Sequence, residues 1–161
     1  MSTDDLFVYA AAYDDEEDAL SDLETFFELA LVGVVGKYDT AILTKDEDGK
    51  VHVEKHGSAT KGGAWKGAIA GGIVGLLFPP SILVGSIVGS AAGGLAGKLW
   101  GGMSRANLKD LGDALDECET GLVIVGEPTI DEFIEKALKK AKKHIRKELK
   151  AEQKELEREL Q

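Results

Sequence analysis

Gly63, Gly67, Gly71 and Gly75 are spaced by four residues, and Gly85, Gly89, Gly93, Gly97 and Gly101 repeat the spacing. Between the two rows lies Phe78-Pro79-Pro80-Ser81. Four-residue spacing lines glycine along one helix face, where the absent side chains let two backbones approach closely. A Pro-Pro pair ends the first arm and allows the chain to reverse. The spacing therefore predicts an antiparallel helical hairpin with a glycine-zipper seam over residues 58–105. Glycine costs about 1 kcal/mol at an interior helical position in water, so nine of them would unravel an isolated helix pair. Close packing against protein or lipid has to compensate, and the nine glycines are the expected oligomer interface.

Charge marks the same segment. Residues 1–60 hold 15 acids and 4 bases, whereas residues 61–105 hold 4 bases and no acid, in a chain whose formal net charge is −10. Desolvating a carboxylate costs several kcal/mol, so an acid-free run of 45 residues predicts burial in protein, in lipid or in both. The acidic majority of the surface would repel a polyanion, which excludes nucleic acid as an expected partner. The lone Cys118 excludes a disulfide scaffold, and the acidic start Met1-Ser2-Thr3-Asp4-Asp5 does not read as a secretory signal. The expected setting is the cytoplasmic side.

Closing the hairpin would bring Lys61, Trp65 and Lys66 beside Lys98 and Trp100 at one end, with Phe78, Pro79 and Pro80 at the tip. Tryptophan and lysine at one level form the anchor pattern of membrane interfaces. The first arm is too short for a simple span: Gly67 to Phe78 is 12 residues, about 18 Å against a bilayer core of about 30 Å. The expectation is a hairpin that enters the bilayer partway, or that thins the lipid locally when oligomerised. The competing expectation is a soluble particle or filament that uses the hairpin as its intersubunit core.

Outside this insert the patterns alternate between strand and helix. Leu6 to Ala12 reads as a strand, and Asp14 to Asp18 opens a helix carrying Ala19, Leu20, Leu23, Phe26, Phe27, Ala30 and Leu31 at helical spacing, ended by Gly33 or Gly36. Tyr38 to Thr44 and Lys50 to Lys55 flank the turn residues Asp46-Glu47-Asp48-Gly49 as a hairpin. Leu108, Leu111, Ala114 and Leu115 mark another helix, and Leu122 to Val125 a buried strand. The fold class expected is α+β: a ferredoxin-like split βαβ domain over 1–57 and 106–127, interrupted by the glycine hairpin. Such a fold covers one sheet face and leaves the other free for a second subunit or a ligand.

The acidic opening, the strand ending in Tyr13-Asp14-Asp15, the turn Asp46-Glu47-Asp48-Gly49-Lys50-Val51 and the glycine insert together resemble a family of uncharacterised bacterial chains described as predicted membrane proteins and related to general stress proteins. The resemblance covers roughly residues 5–127. It implies a soluble α/β domain with a membrane-type insert, and no catalytic residues to carry over. On this reading residues 128–161 are an extension.

That extension reads as one charged helix from Thr129 to Gln161, about 50 Å long, with Ile130, Ile134, Leu138, Ala141, Ile145, Leu149, Leu156 and Leu160 on a stripe and lysines through its middle. The lysines suggest contact with anionic lipid or with the acidic blocks of other copies. His52, Glu54 and His56 share one face of a regular strand, an incomplete ligand set for a metal. No metal, cofactor or catalytic residue is assigned. The function expected is a non-enzymatic, homo-oligomeric, membrane-associated structural protein, with a small-molecule or metal sensor using His52, Glu54 and His56 as the reading from another class.

Overall fold

In a computed structural model of the chain, residues 6–33, 36–58, 68–84, 99, 101–116, 118–150 and 154 are described. Strand β1 (Leu6–Tyr13) leads into helix α1 (Glu16–Val32), where the Asp15 carboxylate caps the first turn by accepting the Asp18 N–H at 2.8 Å. Glu16, Glu17 and Asp18 occupy that turn, at the positive end of the helix. Strands β2 (Tyr38–Lys45) and β3 (Val51–Ser58) form a hairpin closed by Asp46, whose Oδ1 accepts the N–H groups of Asp48 and Lys50 at 2.9 Å each. Gly49 completes the turn at φ 79°, in the left-handed region that glycine enters freely. There follow helix α2 (Ala68–Leu77), a 3-10 turn (Pro80–Ile82), strand β4 (Leu83–Val84), helix α3 (Arg105–Asp116), strand β5 (Thr120–Gly126), a second 3-10 turn (Pro128–Ile130), helix α4 (Asp131–Ala137) and strand β6 (Lys143–Leu149).

The six strands make one mixed sheet in the order β4-β3-β2-β5-β1-β6, antiparallel throughout except for the β3–β4 pair. The α+β class holds, but this order departs from the ferredoxin-like one. There the third strand lies between the first two; here β5 takes that slot and β3 stays outside β2. Burial supplies the reason. β5 is buried at all seven positions, which suits a central strand, whereas β3 exposes His52 and Glu54.

Both sheet faces are covered, so the expected free face does not exist. On one side Val8, Ala10, Leu43, Val123 and Val125 pack with Ile69 and Ile73 of α2 and Leu111 and Leu115 of α3. On the other, Tyr9, Ala11, Ile42 and Ile124 pack with Leu23 and Phe26 of α1 and Phe133 and Ile134 of α4. The alternation of strand side chains distributes these two sets.

The tail is not one long helix. α4 stops at Ala137, and Lys143–Leu149 joins the sheet antiparallel to β1, from Leu6↔Leu149 to Ala12↔Lys143. Just past the helix end a remote carboxylate holds the chain: buried Asp22 of α1 accepts the Lys140 N–H at 2.9 Å and the Tyr13 hydroxyl at 2.8 Å. Burial, then the hydrogen bond and charge of Asp22, push the Tyr13 phenol well above its ordinary range, so it stays a donor. Beyond this point the free edge of β1 offers a ladder of backbone hydrogen bonds that a solvated helix end cannot match.

Candidate functional site

Helix α2 contains the first described rungs of the glycine rows. Its ten residues, Ala-Ile-Ala-Gly-Gly-Ile-Val-Gly-Leu-Leu, carry no charge, and Ile69, Ala70, Ile73 and Val74 are fully buried against the sheet and α3. Burying Ile69, Ile73 and Val74 contributes roughly 1.5–3 kcal/mol each. Gly71, Gly72 and Gly75 give back about 1 kcal/mol each in helix propensity. An acceptor has to cap the N–H groups of the first described turn. Asp39 does so from β2: its carboxylate, at 0% exposure, accepts the N–H groups of Ile69 and Ala70 at 3.0 Å each. Sequence reading missed Asp39, and the available signal was an acid within the apolar run Tyr38 to Leu43.

The tip does not project. Phe78 is 6% exposed, in the core cluster with α2 and α3, and the Lys45 ammonium lies 5.8 Å from its ring centre. Lys45 also pairs with Asp116 at 3.1 Å, joining β2 to the end of α3. Pro79 is exposed. After the 3-10 turn at Pro80, the second arm begins as strand, with Leu83 and Val84 paired to Val51 and His52, and not as helix.

At its far end the second arm is helical at Leu99, Gly101 and Gly102. Leu99 is fully buried and Met103 nearly so, both in the cluster that includes Leu149. A Cβ on Gly102 would sit 2.7 Å from the Lys150 carbonyl oxygen and 2.8 Å from Leu149 Cδ1, and the Gly102 carbonyl accepts the Lys150 N–H at 2.8 Å. Gly102 therefore allows this turn to close on the end of β6. Gly101 is exposed, and a Cβ there would meet nothing within 4 Å. Of the other interface glycines, Gly71 is buried and Gly75 half-buried. Gly63, Gly67, Gly85, Gly89, Gly93 and Gly97 lie outside the described residues, as do the expected anchors Lys61, Trp65, Lys66, Lys98 and Trp100.

Two adjoining cavities, about 240 and 290 Å³, follow the seam between α2 and α3, lined by Leu76, Leu77, Phe78, Ile82 and Leu108 with Lys109 at the rim. A cleft of about 370 Å³ opens between α4 and β6 beside Tyr9, Glu135 and His144. Its guanidinium, Arg146, makes two bonds to Asp131 at 2.9 and 3.2 Å, donates to the Tyr9 hydroxyl at 3.1 Å and stacks 3.5 Å from the Phe7 ring centre. These contacts fasten β6 to α4.

Two observations bear on the metal reading. His52 Nε2 lies 2.8 Å from Asp46 Oδ2, and this imidazole with the Lys50 N–H holds the Asp46 carboxyl below its ordinary range. The β2–β3 register shifts between Thr40 and Ala41, which oppose Gly57 and Lys55, so the extra residue is His56 and the two-residue alternation breaks there. Among the described residues no group of three or more His, Cys, Asp and Glu converges on a metal position, and no helix is long and apolar enough to cross a membrane.

The chain belongs to the family described as Protein of unknown function (DUF1269), whose model matches residues 64–161. The match takes in the glycine segment and continues through the tail, which is thus part of the family unit and not an extension to it. No curated protein and no solved structure matches the chain.

Proposed function

We propose that this protein is a non-enzymatic homo-oligomer that assembles through its second glycine row, Gly85 to Gly101, with the α+β domain facing water. One observation carries the reading. At the last rung, Leu99 and Met103 turn into the core and Gly102 closes on β6, while Gly101 faces outward onto open space. In the sequence the same four-residue spacing continues through Gly97, Gly93, Gly89 and Gly85, which lie outside the described residues, and such a row is the pattern by which one helix accepts the close approach of a second copy. The insert is then divided: Gly71 is buried within the chain's own domain, and the second row meets another copy. Lipid is the second setting, because Lys61, Trp65 and Lys66 at the start of the first row and Lys98 and Trp100 at the end of the second form an interfacial anchor pattern in the sequence.

Sedimentation of the full chain with and without detergent tests both. The wild type should sediment above its 17.1 kDa monomer mass, and Gly89→Leu and Gly93→Leu should each return it toward monomer with an unchanged circular dichroism spectrum. A monomeric wild type in both conditions rejects assembly. Assembly confined to detergent or lipid selects the membrane setting.

A further inference from the structure

We infer that the cleft between α4 and β6 binds a small zwitterion, an amino acid with an apolar side chain, and that it does so whether or not the chain assembles. Helix α4 joins β5 to β6 across β1, as α1 joins β1 to β2 across β5, on the same face of the sheet. Between α1 and β2 the seam is closed by the rings of Phe26, Phe27 and Tyr38, with centres 5.0 to 6.2 Å apart. Between α4 and β6 the seam is a cleft of about 370 Å³. The connection is the same in both units, so the side chains and not the topology leave it open. Opposite His144 in β1 stands Ala11, whose methyl group fills little of the space.

The two walls differ in charge. Helix α4 lines the cleft with Asp131 and Glu135, one helical turn apart, and β6 lines it with Arg146 and His144, two residues apart on one strand face. Arg146 bridges to Asp131 at 2.9 and 3.2 Å and closes one rung between the walls. Glu135 and His144 are the next rung, and neither has a partner among the described residues. The floor is apolar, made by Ile134 and the ring of Tyr9, both buried. The Tyr9 hydroxyl accepts the Arg146 Nε–H at 3.1 Å, which leaves its own O–H to donate, and Arg146 keeps its Nη1 N–H groups. A ligand carboxylate is met by Arg146, His144 and the Tyr9 O–H, a ligand ammonium by Glu135, and an apolar side chain by Ile134. An anion alone faces the like charges of α4, and a cation alone leaves the donors of β6 unused. Only a molecule with both signs matches both walls.

Titration of the full chain with L-leucine, followed by amide chemical shifts, tests the site. Saturable shifts are expected at Glu135 and at His144 to Arg146, with the amides of β3 unmoved. Isocaproate, which lacks the ammonium, and isoamylamine, which lacks the carboxylate, should each bind at least tenfold more weakly. Glu135 and His144 are exposed and hold nothing in place, so their variants should keep the wild-type circular dichroism spectrum. Glu135→Gln should weaken L-leucine at least tenfold and erase its advantage over isocaproate, a change of specificity that a disturbed fold would not produce. His144→Ala should weaken L-leucine about three- to tenfold. No saturable shift with L-leucine, L-valine or L-methionine up to about 10 mM overturns the site. Binding that is unchanged in both variants places the ligand elsewhere and overturns it as well, and isocaproate binding the wild type as tightly as L-leucine overturns the zwitterion assignment.

Discussion

Gly101 and Gly102 are neighbours with opposite surroundings, and the difference is measurable. Gly102→Ala places a methyl group against the Lys150 backbone and Leu149, so a loss of about 1–3 kcal/mol in denaturant unfolding is expected. Gly101→Ala meets open space and gains helix propensity, so its stability should stay equal or rise by up to about 1 kcal/mol. A similar loss at both positions would contradict the described turn. The ion pair between Lys147 and Asp110, at 2.8 Å, makes a pH-dependent prediction. The lysine's hydrogen bond and charge hold the Asp110 carboxyl below its ordinary 3.8, so its folded value lies below its unfolded one. The stabilisation is therefore present above about pH 4 and fades as pH falls through the folded value. The difference in thermal midpoint between wild type and Lys147→Ala should be small, because both groups are partly solvated, and should shrink to nothing in acid. A difference that persists at pH 2 would assign it to lost packing of the lysine stem.

At the scale of elements, β6 changes what the tail is for. Leu149 is fully buried and opposite Leu6, so Leu149→Ala should cost about 2–5 kcal/mol. Truncation after Lys147 should cost at least as much and lower the unfolding midpoint of the whole sheet, where the sequence reading expects weaker assembly with the core still folded. α1 and the β2–β3 hairpin were legible because their determinants are local: Asp15 caps the one and Asp46-Glu47-Asp48-Gly49 turns the other. The tail was misread because Ile134, Leu138, Ile145 and Leu149 fit a helical stripe, yet they divide between two clusters on opposite sheet faces. Neither Asp22, which receives the Lys140 N–H, nor the open edge of β1 is near the tail in sequence.

For the whole molecule, the arrangement of the sheet sets what folds alone. The family match begins at residue 64, but β5 pairs with β1 and β2, and β6 pairs with β1, all before that point. A fragment of residues 64–161 should therefore lack cooperative thermal unfolding and gain it on mixing with a fragment of residues 1–63. Cooperative unfolding of the isolated fragment would show that β5 finds other partners. The basic tail also meets acids within the chain, Lys142 to Asp14 at 3.0 Å and Lys147 to Asp110 at 2.8 Å, so part of the charge expected to join copies joins distant segments of one copy.

Periodicity, caps and turn residues were enough to identify α1, β2, β3, α3 and β5, because each depends on neighbours a few residues away. The place of β5 between β1 and β2, the covering of both sheet faces, the conversion of the tail to β6, and the capping of α2 by Asp39 were decided only in three dimensions. Each joins residues about 30 or more positions apart in the chain, where no local pattern records which carboxylate will meet which helix end or which strand will complete which edge.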